Sequence, residues 1–240
     1  MTDRQILLSG TIGSRLYGTN SSDSDTDTMS ICIRPARDYL LGFNTASWVE
    51  GENTIYELRF FLKLAAAANL NVLPALWVET WTHCLGRLGL DVVSLRTQRN
   101  RFLSKALYNT GTGYALQQLA DVENENRGHS GKLGEKRKAL IELHGYDTKA
   151  AMHTVRLARM TREYLRSPAD GLMVRRPDSD ELLAIRNGEW KKEAVIKEVR
   201  GLIADCDKLI KTTTAPEQPD RKWIDDFLIG VLSRHIKESL

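Results

Sequence analysis

Asp25 and Asp27 stand at alternate positions just before the apolar-rich run Thr28-Met29-Ser30-Ile31-Cys32-Ile33, and a Gly13-Ser14 pair lies about a dozen residues upstream. If the chain from Asp25 onward is extended, the two carboxylates project from one face, about 7 Å apart, because side chains alternate with period two. Carboxylates at that spacing share hard divalent cations, which take oxygen ligands. Met29, Ile31 and Ile33 have the same parity, so this face must pass from an open site into a covered core within one or two residues, as at the exposed end of a strand. Small residues at Gly13 and Gly18 let phosphates approach the backbone, where successive amides of a turn form an anion-binding concavity. Alternating aspartates also occur in plain surface turns. An EF-hand starting at Asp23 needs Gly and Glu where Thr28 and Arg34 stand, and no Gly-Lys-Ser/Thr follows the glycines, so neither a calcium loop nor a Walker loop fits.

The elements that must hold these residues are legible in outline. Residues 6–12 read as a short buried strand leading into the Gly-Ser turn, and 28–34 as a second strand ending at Pro35. A third strand near 53–56 runs into a helical stretch at 58–68. From about Leu95 the character changes: 100–122 and 148–166 look helical, with a polar loop over 123–135 between them. Gly171-Leu-Met-Val-Arg and Leu182-Leu-Ala-Ile-Arg flank Asp178-Ser179-Asp180, and Asn187-Gly188 supplies turn chemistry, so a β-hairpin is expected there. Helices resume at 191–210 and 222–237. The expected fold is α+β: a small mixed sheet with helices over residues 1–95, then a mainly helical module over 96–240 that contains the hairpin.

A chain of 240 residues, 42% hydrophobic and 27% charged, is of ordinary globular composition. Cys32, Cys84 and Cys206 are odd in number and far apart, which argues against a disulfide framework or zinc site and for a reducing, cytoplasmic setting. No segment approaches the roughly 20 apolar residues of a membrane span, and the N-terminal apolar run is short for a signal peptide, so neither export nor membrane insertion is expected. Net charge is +3, but from Arg127 to Arg166 ten Lys/Arg face four acids. Such a segment is either a solvated helix surface or a patch for a phosphate-bearing partner. On a helix begun by Asp147 as N-cap, Lys149, His153 and Arg156 fall within about 60° of one another, forming one polar stripe.

The joint pattern of strand, Gly-Ser turn and Asp-x-Asp opening the next strand resembles the DNA polymerase β nucleotidyltransferase superfamily. Gly13-Ser14-Arg15-x-Tyr17-Gly18, Ser24-Asp25-x-Asp27, Tyr56-Glu57-Leu58-Arg59-x-Phe61-Leu62 and Gly145-Tyr146-Asp147-Thr148-Lys149-x-x-Met152-His153-x-x-Arg156 resemble its RNA-repair-associated branch, common in phages. The similarity runs through nearly the whole chain. Leu70 and Pro74 stand where that branch usually has Pro and Glu, so any role of that Glu is absent or relocated.

The resemblance implies two magnesium ions, with manganese as an alternative, held by Asp25, Asp27 and a third carboxylate. By its place in the Tyr-Glu-Leu-Arg segment that carboxylate is Glu57, as metal ligand and general base; Glu50 and Glu52 are rivals, and a Glu simply favoured at a helix N-terminus is the plain alternative. It also implies that Gly13, Ser14, Arg15, Lys149, His153 and Arg156 bind the nucleoside triphosphate. The implied activity moves a nucleoside monophosphate, from ATP or CTP first, to an RNA (tRNA-like) 3′ end. A protein side chain or small molecule as acceptor, or a silent nucleotide-binding protein, stay as alternatives.

Overall fold

The architecture follows from where apolar residues gather. In the computed structural model, which describes residues 4–22, 24–43, 46–83, 87–123 and 134–239, packing divides the chain into two units. The first comprises residues 1–17, 21–104 and 217–240, and the second comprises 18–20 and 105–216. Cys84 and residues 124–133, which hold most of the expected polar loop and Arg127 and Lys132 of the basic segment, lie outside the described residues.

In the first unit, strands β1 (Gln5–Thr11), β2 (Thr28–Ile33), β3 (Ser47–Glu50), β4 (Asn53–Glu57) and β5 (Trp81–His83) form one mixed sheet in the order β3-β4-β2-β1-β5. β2 runs antiparallel to β1 and parallel to β4, with Thr28 opposite Asn53 and Cys32 opposite Glu57. The edge strands β3 and β5 escaped the sequence reading because three or four half-exposed residues carry little periodicity. Between β1 and β2 the Gly13-Ser14 turn is a short helix, α1 (Gly13–Tyr17); α2 (Ala36–Leu40) follows β2. Helix α3 (Leu58–Ala66) buries Leu58, Phe61, Leu62, Ala65 and Ala66, the i, i+3, i+4, i+7, i+8 stripe of a core-facing helix. Helix α4 (Arg87–Thr97) packs on β1.

The second unit is helical: α5 (Ala106–Glu123), α6 (Glu135–His144), α7 (Thr148–Arg166), α8 (Ser179–Arg186) and α9 (Lys192–Leu209). Its centre is α7, whose Met152 and Val155 are fully buried with Leu182 and Ile185 of α8 and Val195 and Val199 of α9. Asp147 caps α7 as its position predicts, accepting from the Ala150 amide at 2.9 Å. α5 and α7 cross closely because Gly111 has no side chain: a Cβ there would stand 2.0 Å from the Thr161 Oγ1.

One expectation needs correction. The segment around Asp178 is not a β-hairpin: 172–175 run without regular structure and 179–186 form α8. Asp180 and Glu181 sit in its first turn, where the helix dipole favours acids, and Leu182 and Ile185 are buried three residues apart, a helical rather than alternating period. Asn187-Gly188 ends this helix, Gly188 at φ +78 with the His144 ring against its Cα. The last helix, α10 (Arg221–Ser239), belongs with the sheet: Trp223 packs edge-on to Phe102, Arg234 pairs with Asp91 at 2.6 Å, and the His235 ring is 2.8 Å from the Arg34 carbonyl.

Candidate active site

In the first unit the aspartates precede β2 instead of lying in it. Asp25 is exposed, Asp27 is half-buried and Met29 is 1% exposed, so the face passes from open to covered over two steps of the strand. The Asp27 carbonyl accepts the Ile12 amide at 2.9 Å, which extends the β1–β2 pairing and fixes its backbone. Its carboxylate lies against Gly13, where a Cβ would be 2.2 Å from Oδ2 and the backbone has φ +64. Glycine at 13 therefore leaves room for Asp27, a close approach that was expected of a phosphate. Ser14 and Arg15 follow in α1, and Arg15 donates to the Ser24 carbonyl at 3.2 Å. The Ser24 hydroxyl takes the Ser21 amide at 2.9 Å. Gly13, Ser14, Arg15, Asp25 and Asp27 are thus gathered around one loop at one end of β2.

Glu57 is not brought to them. On a parallel pair with Thr28 opposite Asn53, it sits opposite Cys32, about 13 Å further along the strands at ~3.3 Å per residue. It also shares the face of Thr28, Ser30 and Cys32, opposite in parity to Asp27 and Met29; the Ser30 hydroxyl bonds Asn53 Oδ1 at 3.1 Å on that face. Glu57 is 2% exposed, and its carboxylate accepts from the Tyr39 hydroxyl at 2.9 Å, Arg59 Nε at 3.2 Å and the Phe60 amide at 3.3 Å. It caps α3. Burial raises the Tyr39 hydroxyl pKa, and the Glu57 charge adds to this, so the phenol stays a donor.

Of the two rivals, Glu50 pairs with Arg4. Glu52 occupies the two-residue turn between β3 and β4, is exposed, and its carbonyl accepts the Thr28 amide at 3.0 Å. Glu52 is at the aspartate end. Asp25, Asp27 and Glu52 are hard oxygen donors of the kind magnesium takes, although among the described residues no group of three or more His, Cys, Asp or Glu side chains is gathered as a metal site.

In the second unit, the stripe on α7 forms as spaced, and it deepens along the helix: Lys149 is exposed, His153 half-buried and Arg156 6% exposed. Arg156 Nη2 is 3.3 Å from His153 Nδ1. Burial lowers the His153 pKa well below its ordinary value of 6.5, and the charges of Arg156, Lys149, Arg137 and Arg186 lower it further, so the ring is neutral at pH 7. The charges of Arg137 of α6 and Arg186 of α8 thus also act on this ring, which spacing on α7 alone cannot reveal. Arg137 lies 3.5 Å from the Asp147 cap. Arg159 of the segment is committed elsewhere: 8% exposed, it binds Asp178 at 2.9 Å, Glu181 at 2.5 Å and Glu198 at 2.9 Å. Gly18 belongs to this unit, at φ +76, with the Arg175 guanidinium 3.0 Å from where its Cβ would be.

Among known proteins, the chain matches RlaP, the RNA repair pathway DNA polymerase beta family, over residues 2–230. It is similar to the uncharacterized 38.9 kDa protein of the nrdC-mobD intergenic region of Enterobacteria phage T4, at 40% identity across 22% of this chain and 20% of that protein. The match spans about a fifth of the length of that relative.

Proposed function

From the premise that the chain belongs to the RNA repair pathway DNA polymerase beta family, we propose that it is a magnesium-dependent nucleotidyltransferase that moves a nucleoside monophosphate from a nucleoside triphosphate to an RNA 3′ end. The observation that carries the reading is the pair Asp25 and Asp27 at the open end of β2, Asp27 held by its backbone and against Gly13. In the reaction the acceptor hydroxyl gives up its proton to water as its oxygen attacks the α-phosphorus, the bond to the β-phosphate bridging oxygen breaks, and pyrophosphate leaves with that electron pair. Asp25 and Asp27 would hold magnesium, which when bound would supply Lewis-acid polarisation of phosphate oxygens and of the acceptor hydroxyl. Glu52 completes the carboxylate set in this reading, because it shares the aspartate end of the strands while Glu57 is occupied by three donors. Ser14 and Arg15 contact the donor phosphates, and Lys149, His153, Arg156 and Arg137 provide positive charge and a neutral imidazole for phosphate groups. Among the described residues no helix is long and apolar enough to cross a membrane; such an enzyme works in the cytoplasm, where Cys32 and Cys206, free and buried, stay reduced.

The test is incubation of the protein with each α-³²P-labelled nucleoside triphosphate and magnesium, offering RNA, protein extract or no acceptor, with Asp25→Asn as control. Label in RNA that requires Asp25 supports the reading and names the donor. Label in protein moves the acceptor to a side chain, and no label under any condition overturns the transfer reading.

A further inference from the structure

The second unit carries the chain's positive charge: residues 18–20 and 105–216 hold 20 Lys/Arg against 16 Asp/Glu, while the remainder of the chain holds 14 against 15. Within this unit an open groove of about 520 Å³ runs along α9, floored by that helix between residues 194 and 205 and walled by Trp190 and Arg162. Ala194, Lys197, Glu198, Gly201 and Asp205 recur at i, i+3, i+4, i+7 and i+11, which is one face of the helix. At 1.5 Å per residue that face is about 16 Å long, the reach of several linked units of a polymer.

Trp190 precedes α9 at one end of the face. It is half-buried, packs against the core of the unit and also lines the groove, and the Tyr146 hydroxyl holds its carbonyl at 2.6 Å. An indole fixed in this way and open to a groove is a stacking surface for a planar ring. Arg162 of α7 stands at the other end. Its Nη1 is 3.9 Å from Asp205 Oδ2, too long for a hydrogen bond, and its Nε is closed off from solvent with no acceptor among the described residues. A guanidinium in that state has donors to give to an anion. Lys197, exposed between the two ends, adds a second cation. Of the two acids in the groove, Glu198 is bound by Arg159 at 2.9 Å, whereas Asp205 has only distant cations, Arg162 and, at 4.0 Å, Lys208. Its carboxylate is the kind of acceptor that takes an amino group on a base edge.

Gly201 decides the shape. In the middle of an 18-residue helix a glycine weakens the helix relative to alanine, and a Cβ there would meet nothing within 4 Å, so no packing neighbour requires it. The missing side chain leaves the groove floor at the level of the backbone. An elongated open groove with an indole at one end, cations along it and an unsaturated carboxylate fits a single strand, whose bases are free to stack and whose phosphates recur along the chain.

We propose that this groove binds single-stranded RNA, with a base stacked on Trp190, backbone phosphates on Arg162 and Lys197, and Asp205 accepting from a base amino group. Binding in the groove is independent of the transfer reading; that the bound strand is the acceptor rests on that reading.

Fluorescence anisotropy of a short dye-labelled single-stranded RNA, titrated with the full-length protein over a range of salt, tests this without turnover. Gly201→Gln lays a side chain of better helix propensity across the floor, so affinity falls about tenfold while the thermal midpoint holds or rises. Unchanged affinity in this variant overturns the groove. Trp190→Ala also lowers affinity about tenfold, the loss of one stacked base, and leaves the affinity for an RNA duplex, whose bases are not free, unchanged. An equal loss for strand and duplex marks Trp190 as structural and overturns the stacking; where Trp190→Ala fails to fold, Gly201→Gln decides alone. Arg162→Gln flattens the slope of log affinity against log salt by about 0.7, the loss of one phosphate contact on a single strand, and an unchanged slope overturns that contact. A wild type without affinity for the strand overturns the site outright. A wild type that labels no acceptor but loses RNA affinity on Gly201→Gln sinks the transfer reading and keeps the groove; label in RNA with unchanged affinity in Gly201→Gln does the reverse.

Discussion

The two ends of the β2–β4 pair carry carboxylates in opposite circumstances. At one end Glu57 is 2% exposed with three donors on its two oxygens; at the other Asp25 is exposed and Asp27 half-buried on a backbone pinned to β1. A buried carboxylate must be saturated to be tolerated, and once saturated it has little capacity for a ligand. An exposed one at a strand end stays within reach of solvent, and so of a cation or substrate. The sharpest way to break this contrast is Asp27→Asn, nearly isosteric and already accommodated against Gly13. Nucleotide transfer falls about a thousandfold, ~4 kcal/mol of transition-state stabilisation, while the thermal midpoint moves by no more than a degree or two. Retained turnover per folded molecule would remove the aspartate end from the chemistry.

The next prediction exchanges the ends. Glu57→Gln leaves one of three donors facing an amide N–H₂ and costs about 1–2 kcal/mol in urea unfolding, with transfer by the folded fraction preserved. Glu52→Gln, in an exposed turn, leaves stability within about 0.5 kcal/mol and lowers transfer by an order of magnitude or more. If Glu57→Gln is folded and dead while Glu52→Gln is active, the assignment of the third carboxylate reverses.

This contrast also locates the limit of what the chain reveals before folding. Asp25, Asp27 and the Gly13 turn were legible because their spacing is local, and the first strands and α7 because their periods are strong. Glu57 looked like a third ligand because Tyr-Glu-Leu-Arg sits in the right segment, yet residues along the sequence cannot say which end of a parallel pair they reach; that is fixed by the register Thr28 to Asn53. The hairpin expected around Asp178 failed on turn signals shared by hairpins and helix ends: Asn187-Gly188 terminates α8 as readily as it would close two strands. The influence of Arg137 and Arg186 stayed hidden among the basic residues because their charges act on His153 from separate helices, which only packing decides.

Arg156 and His153 lie 3.3 Å apart on α7, and the neutral ring beside a cation provides the last and smallest test. Burial and the charges of Arg156, Lys149, Arg137 and Arg186 hold the His153 pKa well below 6.5. At pH values between the folded and unfolded pKa the unfolded chain takes up a proton that the folded chain refuses, so stability rises with pH there. The folded state therefore keeps its full stability above about pH 7, and loses up to ~1.4 kcal/mol per pH unit as pH falls below the unfolded value. His153→Gln removes this contribution. The difference in urea-unfolding free energy between the two proteins, measured at about pH 7.5 and about pH 5.5, cancels what other groups add and should shift in favour of the variant at the lower pH. Inorganic triphosphate works in the opposite direction: an anion among the cations offsets their repulsion of a protonated ring, raising the His153 pKa, and its binding is then accompanied by proton uptake near pH 6. Parallel loss of stability in wild type and variant, with no proton uptake on binding, would mean that the ring is solvated and that the cations around it are a surface rather than a site.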